Sequence, residues 1–200
     1  MIITIGRQFG SGGRDIGEKI AQRLGYTFYD KELLSMAAEQ QGFSAAAMEH
    51  YDEKPTGSLI YSLYMTGATT SDNLPLNQQL TFAQFNVIRK VAQADNCVIV
   101  GRCADYVLRD RENLLTVFFH APMEYRIKRV IAEQSITNEA LAEKTIKKQD
   151  KARADYYNFF THKKWGEAGN AMVSIDTSIL DSDGIAALIA DLVTMKERTL

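Results

Sequence analysis

Two hundred residues, 46% hydrophobic and 24% charged, suit one globular α/β domain with a sizeable core. A formal net charge of −2 leaves no basic excess to neutralise a nucleic-acid backbone. No apolar run approaches the roughly 20 residues that span a bilayer, so neither nucleic acid nor membrane is expected as a partner. Taken in chain order, Ile2–Ile5 is an apolar strand that breaks into Gly6-Arg7-Gln8-Phe9-Gly10-Ser11-Gly12-Gly13-Arg14-Asp15. Ile16, Ile20, Ala21 and Leu24 then recur on one helical face, and Gly25 ends that helix. A short strand is predicted at Tyr26–Tyr29 and a helix over Lys31–Gln40.

Residues 43–80 hold two of the three prolines and the run Thr69-Thr70-Ser71-Asp72-Asn73, a composition suited to a mobile excursion above a sheet. Beyond it, helices are predicted at Phe82–Ala94, Pro122–Glu133, Asn138–Phe160 and Ile185–Lys196. Strands are predicted at Cys97–Val100, Leu114–Phe119 and Met172–Ile175. Continuous apolar strands alternating with helices argue for βαβ units and a parallel sheet covered on both faces. Cys97 and Cys103 lack metal-ligand or C-x-x-C spacing, and read as small buried hydrophobes in a reducing compartment. The first strand starts too early to leave room for a signal peptide, so a cytoplasmic location is expected.

A buried strand that turns through glycines into a helix presents bare backbone N–H groups to a phosphate, reinforced by the helix dipole. The glycines permit φ > 0 and close approach of the anion. Gly10, Ser11, Gly12, Gly13, Arg14 and Asp15 are therefore the candidate donor-phosphate loop. The usual signature places a lysine after its last glycine; here Gly13 stands there, and Arg14 is displaced by about 100° around the helix. Arg7 and Lys19 are further available cations. Asp15 has two open roles, magnesium ligand or helix cap. A dinucleotide fingerprint fits poorly, because Asp15 occupies its third glycine position.

Arg102 follows Cys97–Val100 and Gly101, which puts it at the carboxyl edge of the sheet, where open α/β folds bind ligands. It is a candidate for an acceptor phosphate or for a strand-end ion pair. Arg126 and Arg129, three apart, share a helix face and are candidates for the donor phosphates or for solvated surface. Lys147, Asp150 and Arg153 share a face of the long charged helix. The histidines His50, His120 and His162 are too scattered for a metal cluster. Tyr61, Tyr64, Phe82 and Phe85 recur at helical spacing and read as core.

Taken together, Ile3-Thr4-Ile5-Gly6 through Gly17, Tyr29-Asp30, Val98-Ile99-Val100-Gly101-Arg102, Phe118-Phe119-His120-Ala121-Pro122, Arg126-Ile127-Lys128-Arg129 and Val173–Thr177 resemble the cytidylate kinase-like family of P-loop nucleoside monophosphate kinases. The resemblance runs over nearly the whole chain. It implies a three-layer P-loop NTPase fold with a five-stranded parallel sheet. In that layout the core is 1–42, 81–137 and 170–200, the acceptor-binding insertion is about 43–80, and a helical lid is about 138–169. It also implies ATP as donor, Mg2+ between the donor oxygens, and CMP or dCMP as acceptor.

On that pattern Arg14, Arg102, Arg126, Arg129 and Arg153 carry the transferred charge, Asp30, Arg102 and Asp105 hold the acceptor, and Asp15 is the magnesium candidate. Departures stand beside these matches. Cys103 replaces the aspartate that follows the family's glycine–arginine pair. Ala152 and Ala154 stand where lid arginines are usual, and Ser35 or Met36 where an acceptor arginine is usual. The alternatives are a nucleotide-binding module without turnover and a kinase of another small phosphorylated or hydroxyl acceptor. Small-molecule nucleotides are the expected partners, with the chain monomeric or a homodimer.

Overall fold

A computed structural model describes residues 1–31, 33, 35–36, 76–134 and 136–199. The predicted helix over Lys31–Gln40 and the predicted insertion at 43–80 therefore fall largely outside the described residues, as do Tyr61, Tyr64 and His50. The strands are β1 (Ile2–Arg7), β2 (Thr27–Tyr29), β3 (Cys97–Val100), β4 (Leu114–His120) and β5 (Val173–Asp176). The helices are α1 (Gly13–Leu24), α2 (Leu76–Val91), α3 (Ala104–Val107), α4 (Met123–Glu133), α5 (Glu139–Thr161) and α6 (Ser182–Glu197). Two differences from the sequence-based boundaries stand out. Helix α2 spans Leu76–Val91, so it is already helical before the predicted start at Phe82. The four-residue α3 was not expected; it follows a run of left-handed backbone at Gly101–Cys103 that periodicity cannot reveal.

The sheet is wholly parallel, in the order β2-β3-β1-β4-β5. Strand β1 occupies its centre, pairing Ile3 with Val98 on one side and with Leu115 on the other. Both faces of β1 are covered, which explains its unbroken apolar run. On one face Ile3, Ile5, Val117 and Phe119 meet Ile16 and Ile20 of α1 and Ile185 and Ile189 of α6. On the other, Ile2, Ile99 and Leu114 meet Phe85 and Ile88 of α2 and Tyr156 and Phe160 of α5. Helix α5 is also anchored at its other end, where Ala142 and Ile146 pack on Val130 of α4. Its charged composition hides these two short apolar contacts.

Helix ends follow local chemistry. Asn138 caps α5 by accepting the Ala140 and Leu141 N–H groups, and Asp181 caps α6 through Gly184 N–H. Gly25 closes α1 in the left-handed region. No described helix is long and apolar enough to cross a membrane.

The centre of the sheet is where truncation should cost most. Ile3→Ala removes a fully buried side chain from the middle strand and is expected to cost about 2–5 kcal/mol. Lys19→Ala, which cuts the exposed pair with Asp183 joining α1 to α6, should leave the denaturation midpoint nearly unchanged. Urea unfolding of the two variants checks the contrast.

Candidate functional site

Where β1 ends, the chain turns back above the sheet under several restraints. Gln8 N–H donates to Phe119 O at 2.9 Å, and the Gln8 side-chain oxygen accepts Ala121 N–H at 3.1 Å. The turn passes through Gly10 and Gly12, both in the left-handed region (φ 78° and 79°). A Cβ on Gly10 would lie 2.9 Å from Val130 Cγ2 and 3.0 Å from Arg126 O, so only glycine fits there. Gly12 then serves as N-cap of α1 with no side-chain hydrogen bond to the helix end. The first turn of α1 is thus a helix terminus left open to an anion. Asp15 is not its cap: its carboxylate pairs instead with Arg129, 3.4 Å away.

One cleft of about 670 Å³ gathers most of the residues singled out in the sequence. Gly10, Gly12, Gly13, Arg14 and Asp15 form one side. Asp30, Arg102, Arg129 and Arg153 complete it, joined by Arg7 and Lys31. Ser11 is the exception in the loop. It is buried beneath the turn, its hydroxyl donates to Gln8 O at 2.9 Å, and its own carbonyl accepts the Thr177 hydroxyl at 2.7 Å. Its side chain therefore braces the loop and does not face the cleft.

The arginines divide by what already holds them. Arg14, expected at the donor phosphates, turns to Asp30 (2.9 Å) and Glu18 (3.5 Å), bridging α1 to the end of β2. That pairing places Asp30 in the cleft with its carboxylate engaged. Arg129 lies over Gly12, between Asp15 and Glu133 (2.7 Å). Burial works against its charge, but Glu133, Tyr125 and Asp15 outweigh it and raise its pKa above the ordinary arginine value. Arg153 stacks over the Phe9 ring and donates to Arg7 O at 3.2 Å, which carries α5 up to the loop. Arg7, named from the sequence as an available cation, lines the cleft, and so does Lys31, which the sequence did not single out.

Arg126 is displaced from its expected role. Buried under the loop, it donates to Asp150 at 2.5 Å and to Phe9 O at 3.3 Å, while Asp150 accepts Phe9 N–H at 2.7 Å. Arginine and aspartate thus grip both polar groups of one loop residue from α4 and α5. Phe9 lies 117 residues from Arg126 and 141 from Asp150, so spacing along the chain could not show this contact.

Gly101, Arg102 and Cys103 are all left-handed (φ 75°, 58° and 53°). Two of these are non-glycine, a conformation that costs of order 1 kcal/mol or more apiece and persists where the surroundings over-determine it. The turn buries Arg102 and aims it into the cleft. Asp105, three residues after Arg102, does not line the phosphate cleft. It lines an adjoining cavity and accepts the Tyr157 hydroxyl at 2.7 Å. Burial pushes its carboxyl up from the ordinary range, more than Tyr157 and the neighbouring backbone N–H groups pull it down.

Two outcomes follow for stability. Asp150→Ala leaves the Arg126 guanidinium buried without its carboxylate and is expected to cost about 3–5 kcal/mol, read by thermal or urea unfolding. Asp105 takes up its proton more readily folded than unfolded, so it contributes less stability as pH rises through the carboxylate range toward its raised pKa. Asp105→Asn removes this loss. Its stability relative to the parent should therefore improve from about pH 4 to pH 7, measured by denaturation at each pH.

A model of the cytidylate kinase-like family matches residues 2–179. No curated protein matches. Among solved structures, an uncharacterized protein from Eubacterium ventriosum is 32% identical, covering 98% of each chain with a TM-score of 0.76. A shikimate kinase from Bacteroides thetaiotaomicron shares 15% identity over 97% of this chain and 98% of its own, at TM-score 0.56. A shikimate kinase from Aquifex aeolicus shares 17% over 100% and 99%, at 0.52. These two likenesses speak to the fold, a P-loop kinase sheet. With the glycine turn, the strand order and the Gly101-Arg102 strand end in place, the chain belongs to the cytidylate kinase-like family.

Proposed function

We propose that this protein transfers a phosphoryl group from ATP to a small phosphorylated acceptor, a nucleoside monophosphate by family analogy. The observation that carries the reading is one cleft holding an uncapped, glycine-built helix terminus together with buried Arg102. Phosphoryl transfer asks the protein mainly to position two anions and offset the charge between them. In this reading the backbone of Gly10–Arg14 cradles the donor phosphates and Arg129 lies beside them. Arg102 binds the acceptor phosphate, and Arg153 contributes charge from α5, within the proposed lid at 138–169. No general base is needed, because the acceptor is already an anion.

The donor set fits magnesium in a limited way. Among the described residues no three His, Cys, Asp or Glu side chains gather as a metal site. Mg2+ would rest mainly on the donor phosphates and water, with Asp15, which lines the cleft, as the candidate carboxylate. The ion supplies charge neutralisation between the donor oxygens. For Asp15 to help, its pairing with Arg129 must loosen.

A second reading, nucleotide binding without turnover, draws support from the same pairings. Gly13 replaces the usual lysine, and Arg14 and Arg129 are already matched by Asp30, Glu18, Asp15 and Glu133. A coupled ADP-release assay with ATP, Mg2+ and a panel of monophosphates, sugars and other small hydroxyl acceptors separates the two. The kinase reading expects turnover with at least one acceptor and a loss of about 100-fold or more in Arg102→Ala. Nucleotide binding with no turnover on any acceptor would establish the binding module.

A further inference from the structure

The corner that aims Arg102 holds its shape poorly by itself. Arg102 and Cys103 are left-handed without being glycine, and the helix that follows, α3, is a single turn of four residues. One turn fixes many dihedrals for few hydrogen bonds and does not persist alone. Gly101 N–H donates to Ile5 O at 2.9 Å, and Cys103, Ala104 and Val107 are buried in the core. Apolar burial is non-directional, so it sets the depth of α3 better than its rotation. A directional tie comes from Asp105, three residues after Arg102, which accepts the Tyr157 hydroxyl at 2.7 Å.

Tyr157 is itself well anchored on α5. Arg153, one turn before it, lies over the Phe9 ring and reaches Arg7 O. Phe160, three residues after it, is fully buried edge to face against Phe85 of α2, centroids 5.7 Å apart. Burial and the Asp105 charge push the Tyr157 phenol well above its usual pKa, so the hydroxyl keeps its proton and remains the donor. A carboxylate acceptor makes such a bond stronger than a neutral one. We propose that Tyr157 is a positioning residue for Arg102: its hydroxyl holds Asp105, Asp105 fixes α3, and α3 sets the turn from which the guanidinium enters the cleft. Asp105, which the sequence pattern suggested for the acceptor itself, then acts on it only through Arg102. The bearing on catalysis rests on the reading of Arg102 as the acceptor ligand, whereas the effect on Arg102 does not. A displacement of about 1 Å at a positioned group can cost on the order of 100-fold in rate.

Tyr157→Phe removes the hydroxyl and keeps the ring. The test uses the full chain labelled with nitrogen-15 and follows the Arg102 Nε–H signal, assigned by its loss in Arg102→Lys. Its order parameter is expected in the rigid range, about 0.8, in the parent and below about 0.6 in Tyr157→Phe. Ile146→Val trims the other anchor of α5, on Val130, and is expected to leave Arg102 as ordered as in the parent, which separates positioning from general loosening. Where the acceptor panel finds turnover, Tyr157→Phe should raise the acceptor KM about 5-fold and hold the ATP KM within about 2-fold. The proposal is overturned by an Arg102 signal equally ordered in Tyr157→Phe and the parent, by an equal loss of order in Ile146→Val, or by an unmoved acceptor KM. Order lost in Tyr157→Phe alone, beside no turnover with any acceptor, supports the positioning role and sinks the kinase reading instead.

Discussion

The turn between β1 and α1 governs the rest of the molecule, because its own residues hold its shape only in part. Glycines at 10 and 12 allow the left-handed backbone but also leave it free to move. Ser11 ties back to Gln8 from within, and the other restraints come from outside. Gln8 fastens the turn to β4, Thr177 reaches Ser11 from beyond β5, and Asp150 with Arg126 holds Phe9. The cradle is therefore a tertiary feature assembled from both flanks of the sheet. Each tie satisfies a backbone group that a buried loop would otherwise strand.

Charge in the cleft follows from the same arrangement. A site meant for several phosphates needs cations, yet unpaired guanidinium groups crowded together repel. The chain resolves this with local acids: Asp30 and Glu18 for Arg14, and Asp15 and Glu133 for Arg129. An entering polyanion must compete with those carboxylates, which favours ligands bringing their own divalent cation to occupy the displaced acids.

Much of the fold was legible in the residues, because strands buried on both faces read as unbroken apolar runs and helices as periodic ones. β3 and β4 fell within a residue of expectation, and α5 within a residue at each end. The glycine turn and the strand-end Arg102 were equally readable, since their positions follow from local order along the chain. What sequence could not supply was partnership. Arg126 looked like a free cation on a helix face until Asp150 arrived from α5. Ser11 looked like a ligand to phosphate until the turn buried it, and Asp105 looked like part of the acceptor site until α3 carried it to Tyr157. Side-chain destinations of this kind depend on two elements meeting, and no pattern within either one encodes them.

The left-handed stretch at Gly101, Arg102 and Cys103 carries a cost that the fold tolerates in return for the aim of a single guanidinium. Glycine at position 103 would relax that backbone, but it would also take a buried side chain out of the core and let the neighbouring arginine wander. The strain persists at this corner because the side chain that bears it also fills the interior.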